Sequence, residues 1–123
     1  MEPLKVVIAQ TNPHAAEVLA ASLKKQLGPV SLARSMEELM SVIPSRRAGL
    51  AVVDLELVPL PEVKQLCREF GNVSVVCTHR LPDEEMWTEA LDAGAIDCCE
   101  SSDVRSIVEA ALRNLPSSRS TAA

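Results

Sequence analysis

Asp54 closes the apolar run Leu50-Ala51-Val52-Val53 and is followed two residues later by a second acid, Glu56. A carboxylate at the carboxyl end of a buried strand is a candidate reactive group, because in open α/β sheets the ligand crevice lies outside those ends, where the strand order reverses. Thr78 closes the next run of this kind, and Arg80 follows it at the same offset by which Glu56 follows Asp54. Side chains so placed on neighbouring strands overhang one crevice. Either Arg80 pairs with Glu56 or Asp54 and brings positive charge to the site, or Glu56 and Arg80 are loop-edge charges in water that contribute little.

The elements that must position these residues alternate. Lys5-Val6-Val7-Ile8-Ala9 is β-branched and apolar, and after Gln10-Thr11-Asn12-Pro13 the pattern becomes helical, with Pro13 suited to a first turn. Ala15, Val18, Leu19, Leu23 and Leu27 predict a helix over residues 14–27, ended by Gly28-Pro29. Val30–Ala33 predicts a second strand, and Ser35 with Glu38 a capping box for a helix that Pro44 terminates near Val42. Residues 50–55 are nearly all apolar, as a central parallel strand covered on both faces requires. A loop with Pro59 and Pro61, a helix over 62–70, a strand over 73–78, a helix over 83–92 and a strand over 95–100 follow. Ser102 or Asp103 caps a last helix to about Leu115, with a stripe of Val104, Ile107, Val108, Ala111 and Leu112, and Pro116 stops it.

Five βα units predict an α/β fold, a five-stranded parallel sheet with helices on both faces, because right-handed crossovers leave few alternatives. The flavodoxin-like order 2-1-3-4-5 brings Gln10, Thr11 and Asn12 beside Asp54, with Thr78 bordering the crevice. The expected domain is 1–115, and 116–123 has too little apolar surface to fold and reads as a disordered tail or linker.

The chain has 123 residues, 47% hydrophobic, which suits one domain. A net charge of -5 argues against binding of nucleic acid, whose affinity rests on clustered Lys and Arg. Lys24-Lys25 and Arg46-Arg47 are expected on solvated faces. No apolar stretch reaches the roughly 20 residues of a membrane span, nor does the N-terminus carry a signal pattern, so the protein is expected in the cytoplasm. The four cysteines, Cys67, Cys77, Cys98 and Cys99, lack zinc spacing and read as buried small hydrophobes. His14 reads as a solvated first-turn histidine, His79 as a rim residue, Trp87 as a packing residue or, if partly exposed, an interface anchor, and Asp97 as a surface charge.

Residues 4–115 resemble a response-regulator receiver domain, the CheY-like fold. The resemblance rests on Lys5-Val6-Val7-Ile8-Ala9 with Pro13, Val52-Val53-Asp54-Leu55, Val75-Val76-Cys77-Thr78 and Ala90-Leu91-Asp92-Ala93-Gly94-Ala95, in that order. It implies that Asp54 is the phosphoacceptor for a histidine kinase and that Thr78 contacts the phosphoryl group and moves with the switch. It also implies departures. The acidic pair that holds Mg²⁺ in the family falls on Gln10 and Thr11, the lysine after strand five on Ser101, and the aromatic switch residue on Cys98.

Phosphoryl transfer depends on positioning and on neutralising charge, tasks of Mg²⁺ and a cation. Gln10 and Thr11 offer only neutral oxygens, so Asp54 is left as a weakened Mg²⁺ site, and the missing lysine removes a second positive charge. These losses favour an atypical pseudo-receiver that acts through protein partners over an active receiver phosphorylated on Asp54. No cofactor and no enzymatic activity are expected. The expected partners are a histidine kinase or an output domain or protein, with a homodimer through the fourth helix, fifth strand and fifth helix as a further expectation. A flavodoxin-type enzyme is discounted, because Thr11-Asn12-Pro13-His14 contains no glycine for a phosphate-cradling loop.

Overall fold

The computed structural model describes residues 4–113. The expected end of the last helix at Leu115, its stop at Pro116 and the tail 116–123 lie outside the described residues. Five strands and five helices alternate: β1 (Val6–Ala9), α1 (Pro13–Gln26), β2 (Val30–Ala33), α2 (Met36–Arg46), β3 (Leu50–Asp54), α3 (Leu60–Glu69), β4 (Ser74–His79), α4 (Glu84–Ala93), β5 (Asp97–Glu100) and α5 (Val104–Arg113). The strands pair in parallel in the order β2-β1-β3-β4-β5, the order the sequence predicts.

Alternation along the strands divides the core into two layers. Val7, Ala9, Ala51, Val53, Val75, Cys77 and Cys98 point to one face, where Leu39 and Ile43 of α2, Val63 and Leu66 of α3 and Ala90 of α4 cover them. Val6, Ile8, Leu50, Val52, Val76 and Cys99 point to the other, under Leu19 and Leu23 of α1 and Ile107, Val108, Ala110 and Ala111 of α5. Helices on both faces explain why β3 is buried at every position. Among the described residues no helix is long and apolar enough to cross a membrane.

Several local expectations change. Pro44 does not terminate α2 but lies inside it. So near the end, its missing N–H removes one bond from a turn whose carbonyls are already partly unsatisfied, and α2 runs on to Arg46. Arg47 then closes it in the left-handed region, φ 55°, with its amide donating to Ile43 and Pro44 carbonyls. The capping box forms by one arm: Ser35 Oγ accepts from the Glu38 amide, whereas the Glu38 carboxylate accepts from the Arg34 amide instead of Ser35. Pro61, expected in a loop, sits in the first turn of α3, where a missing N–H costs nothing. In α1 the buried stripe is Ala16, Leu19 and Leu23, so Val18 is turned out to solvent at 49% exposure. In α5 Ala110 is buried and Leu112 is half exposed, because the helix turns the side of Ile107, Ala110 and Ala111 to the sheet and Leu112 away from it. Lys24, Lys25, Arg46 and Arg47 are exposed, as expected.

Candidate functional site

The site is built where β1, β3 and β4 end together. Asn12 caps α1, its Oδ1 accepting from the His14 and Ala15 amides at 2.9 and 3.1 Å, and Pro13 starts the first turn. Only Gln10 and Thr11 therefore separate β1 from the cap, which leaves the loop short and stiff. Gln10 turns its amide oxygen back to accept from the Asn12 amide at 3.3 Å.

That loop presents Thr11 to Asp54, which is 2% exposed. Thr11 Oγ1 and the Thr11 amide both donate to Asp54 Oδ2, at 2.9 and 3.3 Å. The Glu56 amide donates to Asp54 Oδ1 at 3.0 Å. Both carboxylate oxygens are thus engaged by donors of the chain itself, which is how a buried charge is kept at tolerable cost. The Asp54 carbonyl accepts from the Leu57 and Val58 amides, so the β3–α3 turn is wound around the same residue.

Glu56 and Arg80 meet. Arg80 Nε donates to Glu56 Oε1 at 2.8 Å, and His79 Nε2 lies 4.0 Å from that oxygen. The Arg80 hydrogen bond holds the Glu56 carboxyl below its ordinary value and raises the guanidinium in return. Arg80 pairs with Glu56 and not with Asp54, and its side chain remains 79% exposed, so the pair is also a solvated loop-edge contact, as the other reading has it. His79 Nδ1 accepts from the Leu81 amide at 3.0 Å, which orients its ring along the rim. His14 is exposed, as expected.

These loops enclose a cleft of about 440 Å³ lined by Gln10, Thr11, Asp54, Glu56, Arg80 and Ser101, together with Asn12, Ala15 and Ser102. All the expected crevice residues but one are therefore brought together. The exception is Thr78, which pairs in register with Asp54 and Cys99 but is fully buried and does not line the cleft. The hydroxyls of Thr78 and Ser101 are buried without a hydrogen-bond partner. Sequence reasoning missed the role of Thr11 as a donor, because a threonine after a strand gives no hint that its hydroxyl will close on a carboxylate 43 residues away.

The donor set does not suit Mg²⁺, which wants several free oxygen ligands in octahedral array. Thr11 offers only a neutral hydroxyl that already donates to Asp54, the Asp54 carboxyl already accepts three hydrogen bonds, and the Glu56 carboxylate is held by Arg80. Among the described residues no cluster of three or more His, Cys, Asp or Glu side chains is placed to hold a metal ion.

The four cysteines are free thiols, three buried and Cys67 half-buried. Burial pushes Cys98 up to about 11, Cys99 to about 12 and Cys77 further still, which keeps them protonated, in keeping with a packing role. Asp97 is not the simple surface charge expected. Its Oδ1 accepts from Trp87 Nε1 at 3.1 Å and from the Cys98 amide at 2.8 Å, and its Oδ2 from Arg113 Nη2 at 3.1 Å, so one carboxylate ties α4, β5 and α5 together.

No family model matches this chain, and no curated protein matches it. Solved structures do. The signal receiver domain of an HD domain-containing protein from Pseudomonas fluorescens Pf-5 superposes with a TM-score of 0.82 at 13% identity, over 97% of this chain and 99% of that one. FixJ-N gives 0.74 at 24% identity, over 94% and 98%. The response regulator RcsB of Salmonella typhimurium gives 0.77 at 17% identity over 92% of this chain, which spans only 59% of the RcsB chain. The chain has the receiver-domain fold, the CheY-like α/β sandwich.

Proposed function

We propose that the protein is an atypical receiver domain of two-component signalling, a pseudo-receiver that works by binding protein partners and is not switched by phosphorylation of Asp54. The observation that carries this reading is the closure of Asp54 by its own chain. The Thr11 hydroxyl and amide and the Glu56 amide satisfy both oxygens. Three hydrogen bonds from the chain hold the Asp54 carboxyl in place and leave its oxygens less free to attack phosphorus. Neutral residues at 10, 11 and 101 supply neither a metal site nor a lysine for the charge of the transferred group. On this reading the domain has no enzymatic activity, needs no cofactor, and resides in the cytoplasm. Its partner is an output domain or protein, or a histidine kinase engaged without transfer.

A second reading, an active receiver phosphorylated on Asp54 by a histidine kinase, draws on two features. The buried Thr78 hydroxyl beside Asp54 has no partner, and Arg80 brings a guanidinium to the mouth of the cleft. Incubation with a small-molecule phosphodonor and Mg²⁺, followed by intact mass, separates the two. The pseudo-receiver gains no mass. A gain of one phosphoryl group that Asp54→Ala abolishes establishes the active receiver instead.

A further inference from the structure

The loop between β4 and α4 is fastened at one place. Pro82 has no N–H, and Asp83 already serves α4 as its N-cap. Among the described residues the hydrogen bonds that hold 80–82 are two: Arg80 Nε donates to Glu56 Oε1 at 2.8 Å, and the Leu81 amide donates to His79 Nδ1 at 3.0 Å. Both run to side chains at the rim. Those two side chains face each other, with His79 Nε2 4.0 Å from Glu56 Oε1. Leu81 is carried on this loop at 82% exposure.

This geometry ties the loop to one form of the His79 ring. A neutral imidazole has one N–H and one acceptor nitrogen, so Nδ1 accepts from the Leu81 amide only while the ring proton sits on Nε2, the atom that faces Glu56. A second proton enters at Nδ1. It turns the acceptor into a donor, sets two N–H groups against each other and ends the bond to Leu81. The same proton strengthens the other contact, because an imidazolium beside a carboxylate makes a charge-assisted bond.

The charged groups on the elements that flank His79 are Asp54 at the end of β3, Glu56 in the turn after it, Arg80 in its own loop, Glu100 in register on β5 and Asp83 at the start of α4. Of the acids only Glu56 comes as near as 4.0 Å. Asp54 is engaged by Thr11 and the Glu56 amide, Glu100 by Ser102 Oγ at 2.7 Å and Asp83 by the Met86 amide at 2.8 Å. Glu56 is therefore the acid that receives a charged ring.

We propose that His79 is a proton-operated latch on the β4–α4 loop: neutral, it holds the Leu81 amide and fixes the exposed Leu81 in one turn; protonated, it lets the amide go and pairs with Glu56. The latch needs neither a phosphoryl group nor a metal. It therefore goes beyond the reading of the domain as a pseudo-receiver and holds equally for an active receiver.

The test follows the full chain, labelled with nitrogen-15, by NMR from about pH 8 to about pH 5, the range in which histidine changes charge. His14, the other histidine, is exposed on α1 and is the internal reference. The expected result is an Nε2-protonated His79 at the upper end. On acidification the Leu81 amide proton moves upfield together with the His79 ring signals, and its protection from exchange falls about tenfold or more. His79→Gln abolishes the Leu81 transition, and His14→Gln leaves it in place. An Nδ1-protonated His79 at the upper end, a Leu81 amide that keeps its position while the His79 ring titrates, or a transition that follows His14 overturns the proposal. All three are read on the parent chain, so none depends on the folding of a variant.

Discussion

The two polar regions at the rim of this sheet are managed in opposite ways. At the ends of β1 and β3 a buried charge is closed inward: Asp54 has a donor for each oxygen, and Glu56 is paired with Arg80. On α4 charge is left open outward: Glu85, Glu89 and Asp92 have no ion-pair partner among the described residues, and Trp87, on the other flank of the helix with its indole N–H on Asp97, is 44% exposed. Internal satisfaction gives stability and suppresses reactivity, whereas an unsatisfied, oriented surface costs some stability and is available for recognition. The contrast is between a crevice whose charges the chain satisfies itself and a helix surface whose charges it leaves to solvent.

The largest expected effect tests what the outward region stands on. Gly94 ends α4 at φ 113°, and a Cβ there would come within 2.8 Å of Cys67 Cβ and 3.0 Å of its sulfur. Gly94→Ala therefore combines a left-handed backbone penalty with a clash between α4 and α3, and is expected to lower stability by about 3 kcal/mol in urea unfolding. A loss below about 1 kcal/mol would mean that α4 is free to shift, and the contrast between a closed crevice and a fixed outer face would fail.

A smaller effect sharpens the inward side. Glu56 is held below its ordinary value of 4.5 by the Arg80 hydrogen bond, so the folded state prefers the ionised form more than the unfolded chain does. The contribution of this pair is present above pH 4.5 and is lost as the pH falls through the lowered value. Both groups are solvated, so the change is slight. Urea midpoints taken across that window should fall less steeply in Arg80→Ala than in the parent, and parallel curves would show that the pair contributes nothing.

Most of the fold was legible because the strands are short, apolar and separated by helical periods, and right-handed crossovers then leave few sheet orders. Gln10, Thr11, Asp54, Glu56, Arg80 and Ser101 converge on one cleft because the carboxyl ends of parallel strands lie together. What escaped the sequence were directions of side chains. The choice between Ala16 and Val18 as the buried residue of α1 depends on a rotation of the helix by less than half a turn, to which its apolar pattern is nearly indifferent. Pro44 looked like a terminator because its cost depends on how many turns follow it. Asp97 looked like a surface charge because its partners, Trp87 and Arg113, come from two other elements that only the fold brings to it.

The account turns on Asp54 being a structural tie, and a double-mutant cycle on urea unfolding with Thr11→Val, Asp54→Ala and the pair tests this most directly. A tie predicts that the single losses fail to add, with a coupling of about 1–2 kcal/mol, because either change alone removes the same hydrogen bond to a buried carboxylate. Additive losses within about 0.3 kcal/mol would show that Thr11 does not hold Asp54, and would contradict the claim that the carboxylate is closed off from chemistry.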